Sequence, residues 1–136
     1  QYDLGQSPYS QDMLNLSPSR MKDEHMTWQD KLDGTRNQLR GLNKTIPDPT
    51  RSCGALGKAV KEGGVLNFKT KEFVALGIAV ADRCEPCITL HIEALTKAGA
   101  SREELADVLS VCIQMGGGPS MMYAAKALDC YDELTA

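Results

Sequence analysis

Nine consecutive residues from Phe73 to Ala81 carry no charged or polar side chain, and this run constrains the chain more than any other segment. It is far shorter than the roughly 20 apolar residues that cross a bilayer. A helix that is apolar all round has to be buried inside a protein, so the run predicts a central helix over about Thr70–Asp82. Everything else in the chain then has to cover it. No segment of useful length alternates apolar and polar residues, and no internal repeat occurs, so the expected fold is all-α. A single chain of 136 residues cannot wrap such an element on every side, and assembly of several copies is expected on these grounds alone.

The flanking helices are marked by their ends. Ser101-Arg102-Glu103-Glu104 is a capping box that starts a helix running through Val108 and Val111 to Met115. Gly116-Gly117-Gly118-Pro119 breaks the chain, and a last helix covers Ser120 to about Leu134. Gly99 terminates the helix that begins at Cys84-Glu85-Pro86-Cys87 and ends at Lys97. Upstream, Met21, His25, Trp28, Leu32, Thr35, Leu39, Leu42 and Ile46 follow at spacings of four and three, the stripe of an amphipathic helix that packs on its own subunit or on a neighbour. Pro47-Asp48-Pro49 ends it. A short helix is predicted from Thr50 or Arg51 to Lys61, with Gly63-Gly64 as its stop. Residues 1–20 show no apolar period and suit a flexible tail. The predicted organisation is a tail over 1–20, a helical extension over 21–49 and a domain over 50–136.

Composition narrows the function. Hydrophobic residues at 42% and charged residues at 24% suit a globular protein, and neither a disordered chain nor a membrane protein is expected. A net charge of -3 with no basic run argues against nucleic-acid binding, which draws its affinity from clustered Lys and Arg. Gln1-Tyr2-Asp3-Leu4 lacks the basic and apolar regions of a secretory signal, so a cytoplasmic location is expected. Five unevenly spaced cysteines do not form the even framework of a secreted scaffold.

The close pair carries the chemistry. Cys84 and Cys87 are near enough to close a disulfide and stand at a helix start, where unpaired amides favour thiolate over thiol. Pro86 suits the first turn, where its missing amide costs nothing. His91 follows Cys87 by four residues and stacks over it on a helix, so Cys87 has the base and is assigned as the attacking thiol, with Cys84 as its disulfide partner. Glu72, near the start of the apolar helix, is suited to orient His91 or pass its proton; the competing reading is a carboxylate facing the helix dipole. Two Cys and a His could also supply three zinc ligands, but structural zinc takes four and no second pair is present. Haem attachment needs a His directly after the second Cys, where Ile88 stands. His25 is expected as a packed polar residue. Cys53, Cys112 and Cys130 are expected as small core residues, and Met121-Met122-Tyr123 as core or interface.

Lys71-Glu72-Phe73-Val74-Ala75-Leu76 followed by Cys84-Glu85-Pro86-Cys87-Ile88-Thr89-Leu90-His91 resembles the signature of the AhpD-like alkylhydroperoxidases within the carboxymuconolactone decarboxylase superfamily. The shared pattern is Glu, eleven residues, Cys, two residues, Cys, three residues, His. That resemblance implies an all-helical homotrimer or homohexamer with thiol peroxidase or disulfide oxidoreductase activity in antioxidant defence. It implies Cys87 as the peroxide-attacking cysteine, Cys84 as the resolving one, and Glu72 and His91 as the proton relay, with no cofactor and no metal. Substrates would be a hydroperoxide or a protein disulfide, and redox partners a lipoyl, thioredoxin-like or peroxiredoxin protein. Pro86 stands where typical members carry a further His, and residues 1–46 lie outside the family core. Alternatives are a redox-sensing or partner-binding protein with the same disulfide as switch, or a decarboxylase-type enzyme of the same fold.

Overall fold

A computed structural model describes residues 26–136. Six helices make up the described residues: α1 Trp28–Thr45, α2 Pro47–Glu62, α3 Phe68–Ala81, α4 Glu85–Lys97, α5 Arg102–Gly116 and α6 Gly118–Leu134. No strand occurs among those residues, in agreement with the all-α expectation. The tail over 1–20, and Met21 and His25 of the predicted stripe, lie outside the described residues.

The core forms where α3, α4, α5 and α6 meet. Leu76, Ala79 and Val80 of α3 pack with Ile88, Ile92 and Leu95 of α4, Leu105 and Leu109 of α5, and Ala124, Ala127 and Cys130 of α6. The apolar helix is less enclosed than its composition suggests. Glu72, Leu76, Ala79 and Val80 occupy its buried face, whereas Val74 and Ile78 on the opposite side are 55% and 58% exposed. The described residues supply helices for only one side of α3. Met121 and Met122 of α6 are also exposed, while Tyr123 is partly buried against the core.

Helix α1 is held at its first two turns. Thr27 and Asp30 form a capping box, with the Asp30 amide donating to Thr27 Oγ1 at 3.0 Å and the Thr27 amide to the Asp30 carboxylate at 3.1 Å. Trp28 and Leu32 are its buried residues. The Trp28 indole donates to Asp129 at 2.7 Å, and the Trp28 and Gln29 amides donate to the two oxygens of Glu133 at 3.0 Å each. A carboxylate from α6 thus binds the positive end of α1. Further along, Leu39, Leu42 and Ile46 of the stripe are exposed.

Prolines mark the next boundary differently from the prediction. Pro47 and Pro49 both fall in the first turn of α2, where a proline loses no hydrogen bond, so α2 starts three residues before the predicted Thr50. Helix α2 buries none of its residues. Cys53 is therefore exposed and corrects the core expectation, whereas Cys112 is partly buried and Cys130 wholly so. At the other break, a Cβ on Gly116 would collide with the buried Ser120, and Gly117 takes φ +69°, so this junction needs glycine at both positions. Pro119 is again accommodated in a first turn, and α6 starts at Gly118, two residues before the predicted Ser120.

Candidate functional site

The turn between α3 and α4 places the thiol pair. Helix α3 closes in a Schellman arrangement, with the Cys84 amide donating to the Ala79 carbonyl at 3.0 Å and the Arg83 amide to the Val80 carbonyl at 3.1 Å. Arg83 takes φ +55°, the left-handed conformation the motif requires and one that non-glycine residues seldom adopt. This reversal delivers Cys84 directly to the N-cap of α4, where its sulfur accepts from the Cys87 amide at 3.3 Å. Pro86 fills the first turn, as its chemistry predicts. Cys84 and Cys87 are joined in a disulfide, with Cα atoms 5.2 Å apart.

Two turns into α4, His91 Nδ1 lies 2.6 Å from Glu72 Oε2. Glu72 is only 2% exposed, so a charged carboxylate there needs partners. It has two, because Lys61 of α2 forms an ion pair with Oε1 while His91 meets Oε2. Burial, and then the Lys61 ammonium, hold the His91 imidazole below its ordinary value, so it is neutral near pH 7. A neutral ring that donates from Nδ1 to a carboxylate keeps Nε2 as a free acceptor. Cys84 and Cys87 thus stand at the turn that joins α3 to α4, and Glu72 and His91 meet where the two helices pack along their length. The Glu72–His91 contact joins residues 19 apart in the chain, and the helix-dipole alternative for Glu72 gives no account of it.

Two features escaped sequence reasoning. Lys61 belongs to a helix with no buried residue and has no spacing relation to Glu72 that a periodic pattern would reveal. Glu85, between the cysteines, is pinned by Lys31 of α1 at 3.1 Å and Lys126 of α6 at 2.9 Å. Burial acts to raise its pKa, but the hydrogen bonds from Lys126 and Lys31 prevail and hold the carboxyl below the usual range. Lys126 and Glu85 are 41 residues apart, a tertiary pairing with no local signal. Beside Glu85 and Pro86, Met26, Lys31, Gly34, Thr35, Gln38 and Thr89 border an open groove of about 340 Å³.

The remaining cysteines differ in character. Burial pushes the Cys112 thiol up, and burial together with Glu133 and Asp129 pushes Cys130 up to about 12, so both stay protonated and unreactive at neutral pH. Among the described residues no group of three or more His, Cys, Asp or Glu side chains is placed to hold a metal ion. No helix among them is long and apolar enough to cross a membrane.

Comparison with known proteins agrees with this architecture. The model of the family described as "Carboxymuconolactone decarboxylase family" matches residues 47–129. An uncharacterized protein of Cupriavidus necator is 36% identical over 106 residues, spanning 78% of this chain and 94% of the relative. The crystal structure of a carboxymuconolactone decarboxylase family protein from Legionella pneumophila superposes with a TM-score of 0.77 at 38% identity, over 80% of this chain and 97% of that one. A Thermotoga maritima member, with a possible antioxidative role by its name, gives a TM-score of 0.60 at 31% identity over 64% of this chain and 90% of its own.

Proposed function

The chain belongs to the carboxymuconolactone decarboxylase family, and from that membership and the site geometry we propose that it is a thiol oxidoreductase cycling Cys84 and Cys87 between dithiol and disulfide. The observation that carries this reading is the disulfide at the N-terminus of α4, one turn from an imidazole that is itself hydrogen-bonded to a buried carboxylate.

In the reduced protein, His91 Nε2 takes the proton of Cys87, whose thiolate faces the positive end of α4. As a peroxidase, that thiolate attacks one oxygen of a hydroperoxide. The O–O bond breaks, an S–O bond forms, and the departing alkoxide receives the proton held by His91. Cys87 is then a sulfenic acid, and the Cys84 thiol condenses with it to give the disulfide and water. A dithiol donor, such as a lipoyl or thioredoxin-like protein, restores both thiols by exchange and becomes a disulfide itself. As a reductase, the same pair would pass its two electrons to a peroxiredoxin or another protein disulfide. A copy-to-copy assembly, a homotrimer or homohexamer, belongs to this proposal; the exposed Val74, Ile78, Val111 and Met115 support it.

Peroxide consumption by the reduced protein, with mass mapping of the bond formed, tests the reading on wild type, Cys87→Ser and His91→Ala. Peroxide loss with a new Cys84–Cys87 bond, abolished by Cys87→Ser and strongly slowed by His91→Ala, is expected. Untouched peroxide with retained dithiol exchange would leave the reductase form alone, and neither activity would overturn the proposal.

A further inference from the structure

Lys61 sits at the end of a helix that contributes nothing to the core, yet its ammonium reaches the most deeply buried carboxylate in the described structure. Its position is held from several sides. Lys71 of α3 donates to the Val60 carbonyl at 2.5 Å and to the Gly63 carbonyl, tying the last turn of α2 to α3. The Lys61 ammonium lies 5.2 Å from the centre of the Phe68 ring, which covers it without neutralising it. Its side chain keeps 28% of its exposure, so water shares in solvating the charge that Glu72, at 3%, cannot solvate for itself.

A buried carboxylate with no other cation beside it favours the protonated form of a neighbouring imidazole. Here that imidazole is His91, and its protonation decides what the thiol meets. If His91 holds a second proton for Glu72, both ring nitrogens become donors and nothing is left to accept from Cys87. We propose that Lys61 is a positioning residue for the thiol chemistry: its charge balances that of the Glu72 carboxylate, so that His91 stays the neutral ring protonated on Nδ1 and leaves Nε2 free. The inference rests on the roles given above to Cys87 and His91, and it adds a group from a third helix to their relay.

The charges on the other elements packed against α4 are engaged elsewhere. Lys31 of α1 and Lys126 of α6 meet Glu85, and Arg36 of α1 meets Glu93 together with Lys97. Glu72 of α3 and Lys61 of α2 are the charged groups that face the His91 ring, and Lys71, which directly precedes Glu72 in α3, acts on Lys61.

The test is an NMR titration of the imidazole nitrogens in the full chain with its disulfide intact, so neither peroxide nor a free thiol at the site takes part. The chain has two histidines, and the signal lost in His91→Gln identifies His91. Lys61→Met keeps the stem and removes the charge, whereas Lys61→Arg keeps the charge. A clear rise of the His91 midpoint in Lys61→Met, with Lys61→Arg staying near wild type, is the expected result. Should Lys61→Met fold poorly by circular dichroism, Lys61→Gln carries the same comparison. An unmoved midpoint in the charge-free variant overturns the proposal, and so does an equal rise in the Arg variant, which assigns the effect to packing. A protein that fails to consume peroxide but shows the Lys61-dependent shift refutes the peroxidase reading and leaves this inference standing.

Discussion

Leu32→Ala separates the docking of α1 from the folding of the remaining helices. Leu32 is fully buried and, with Trp28, forms the apolar part of the attachment of α1. Burying a Leu contributes roughly 1.5–3 kcal/mol, and truncation adds the cost of an unfilled cavity, for a total of about 3 kcal/mol. Losing about half of the apolar anchor should undock α1 before the core of α3 to α6 opens. The chain contains one tryptophan, and it lies in α1, so its fluorescence reports docking while far-ultraviolet circular dichroism reports all the helices. In wild type the two urea transitions are expected to coincide. In Leu32→Ala the fluorescence transition should come first, and the exposed Asn43→Ala should shift neither by more than about 0.5 kcal/mol. Coincident transitions in Leu32→Ala, displaced together, would refute the idea of a separately docked helix; a loss below about 1 kcal/mol would refute the packing estimate.

Three further outcomes follow from other parts of the molecule. Tyr131→Phe removes a buried hydroxyl that donates to the Ala100 carbonyl at 2.7 Å, and thermal unfolding should show a loss of about 1–3 kcal/mol. Because burial and Lys61 lower the pKa of His91, the unfolded chain binds more protons than the folded one between the folded value and about 6.5. Stability should therefore be fully present above pH 6.5 and fall as the pH drops through that window, with a shallower fall in His91→Gln, read from urea midpoints at pH 7.5 and 5.5. Val111→Asp places a charge on a residue 57% exposed in one chain; if copies assemble through that face, light scattering should show the mass falling towards the single-chain 14.8 kDa. A wild type that already runs at that mass would contradict assembly.

Local signals made most of the fold legible. The Ser101–Glu104 box, the Gly99 terminator and the apolar run placed α3, α4 and α5 to within a few residues, because caps and breakers act through near neighbours. At both junctions the end of the preceding helix was read correctly, but the next helix was started too late, because Pro47, Pro49 and Pro119 sit in first turns where no amide is needed. Cys53 looked like a core residue from its apolar neighbours, but helical periodicity cannot distinguish a face that meets the core from one that meets nothing in the same chain. Within the candidate site, the Cys84–Cys87–His91 spacing was readable because all three lie on one helix end. Lys61 and the two lysines on Glu85 were not, since such pairings depend on how separate helices cross.

Glu133, bound to the first amides of α1, has a consequence for the order in which the molecule is built. Trp28 is synthesised 105 residues before the carboxylate that receives its amide, and 101 before the Asp129 that receives its indole. During vectorial synthesis α1 therefore emerges before the other five described helices but can be seated only after almost all of α6 has been made. At some 5–20 residues per second, that interval lasts roughly 5–20 s. Throughout it, Trp28 and Leu32 have no finished surface to occupy, so the first of the six described helices to be made is the last of them in place.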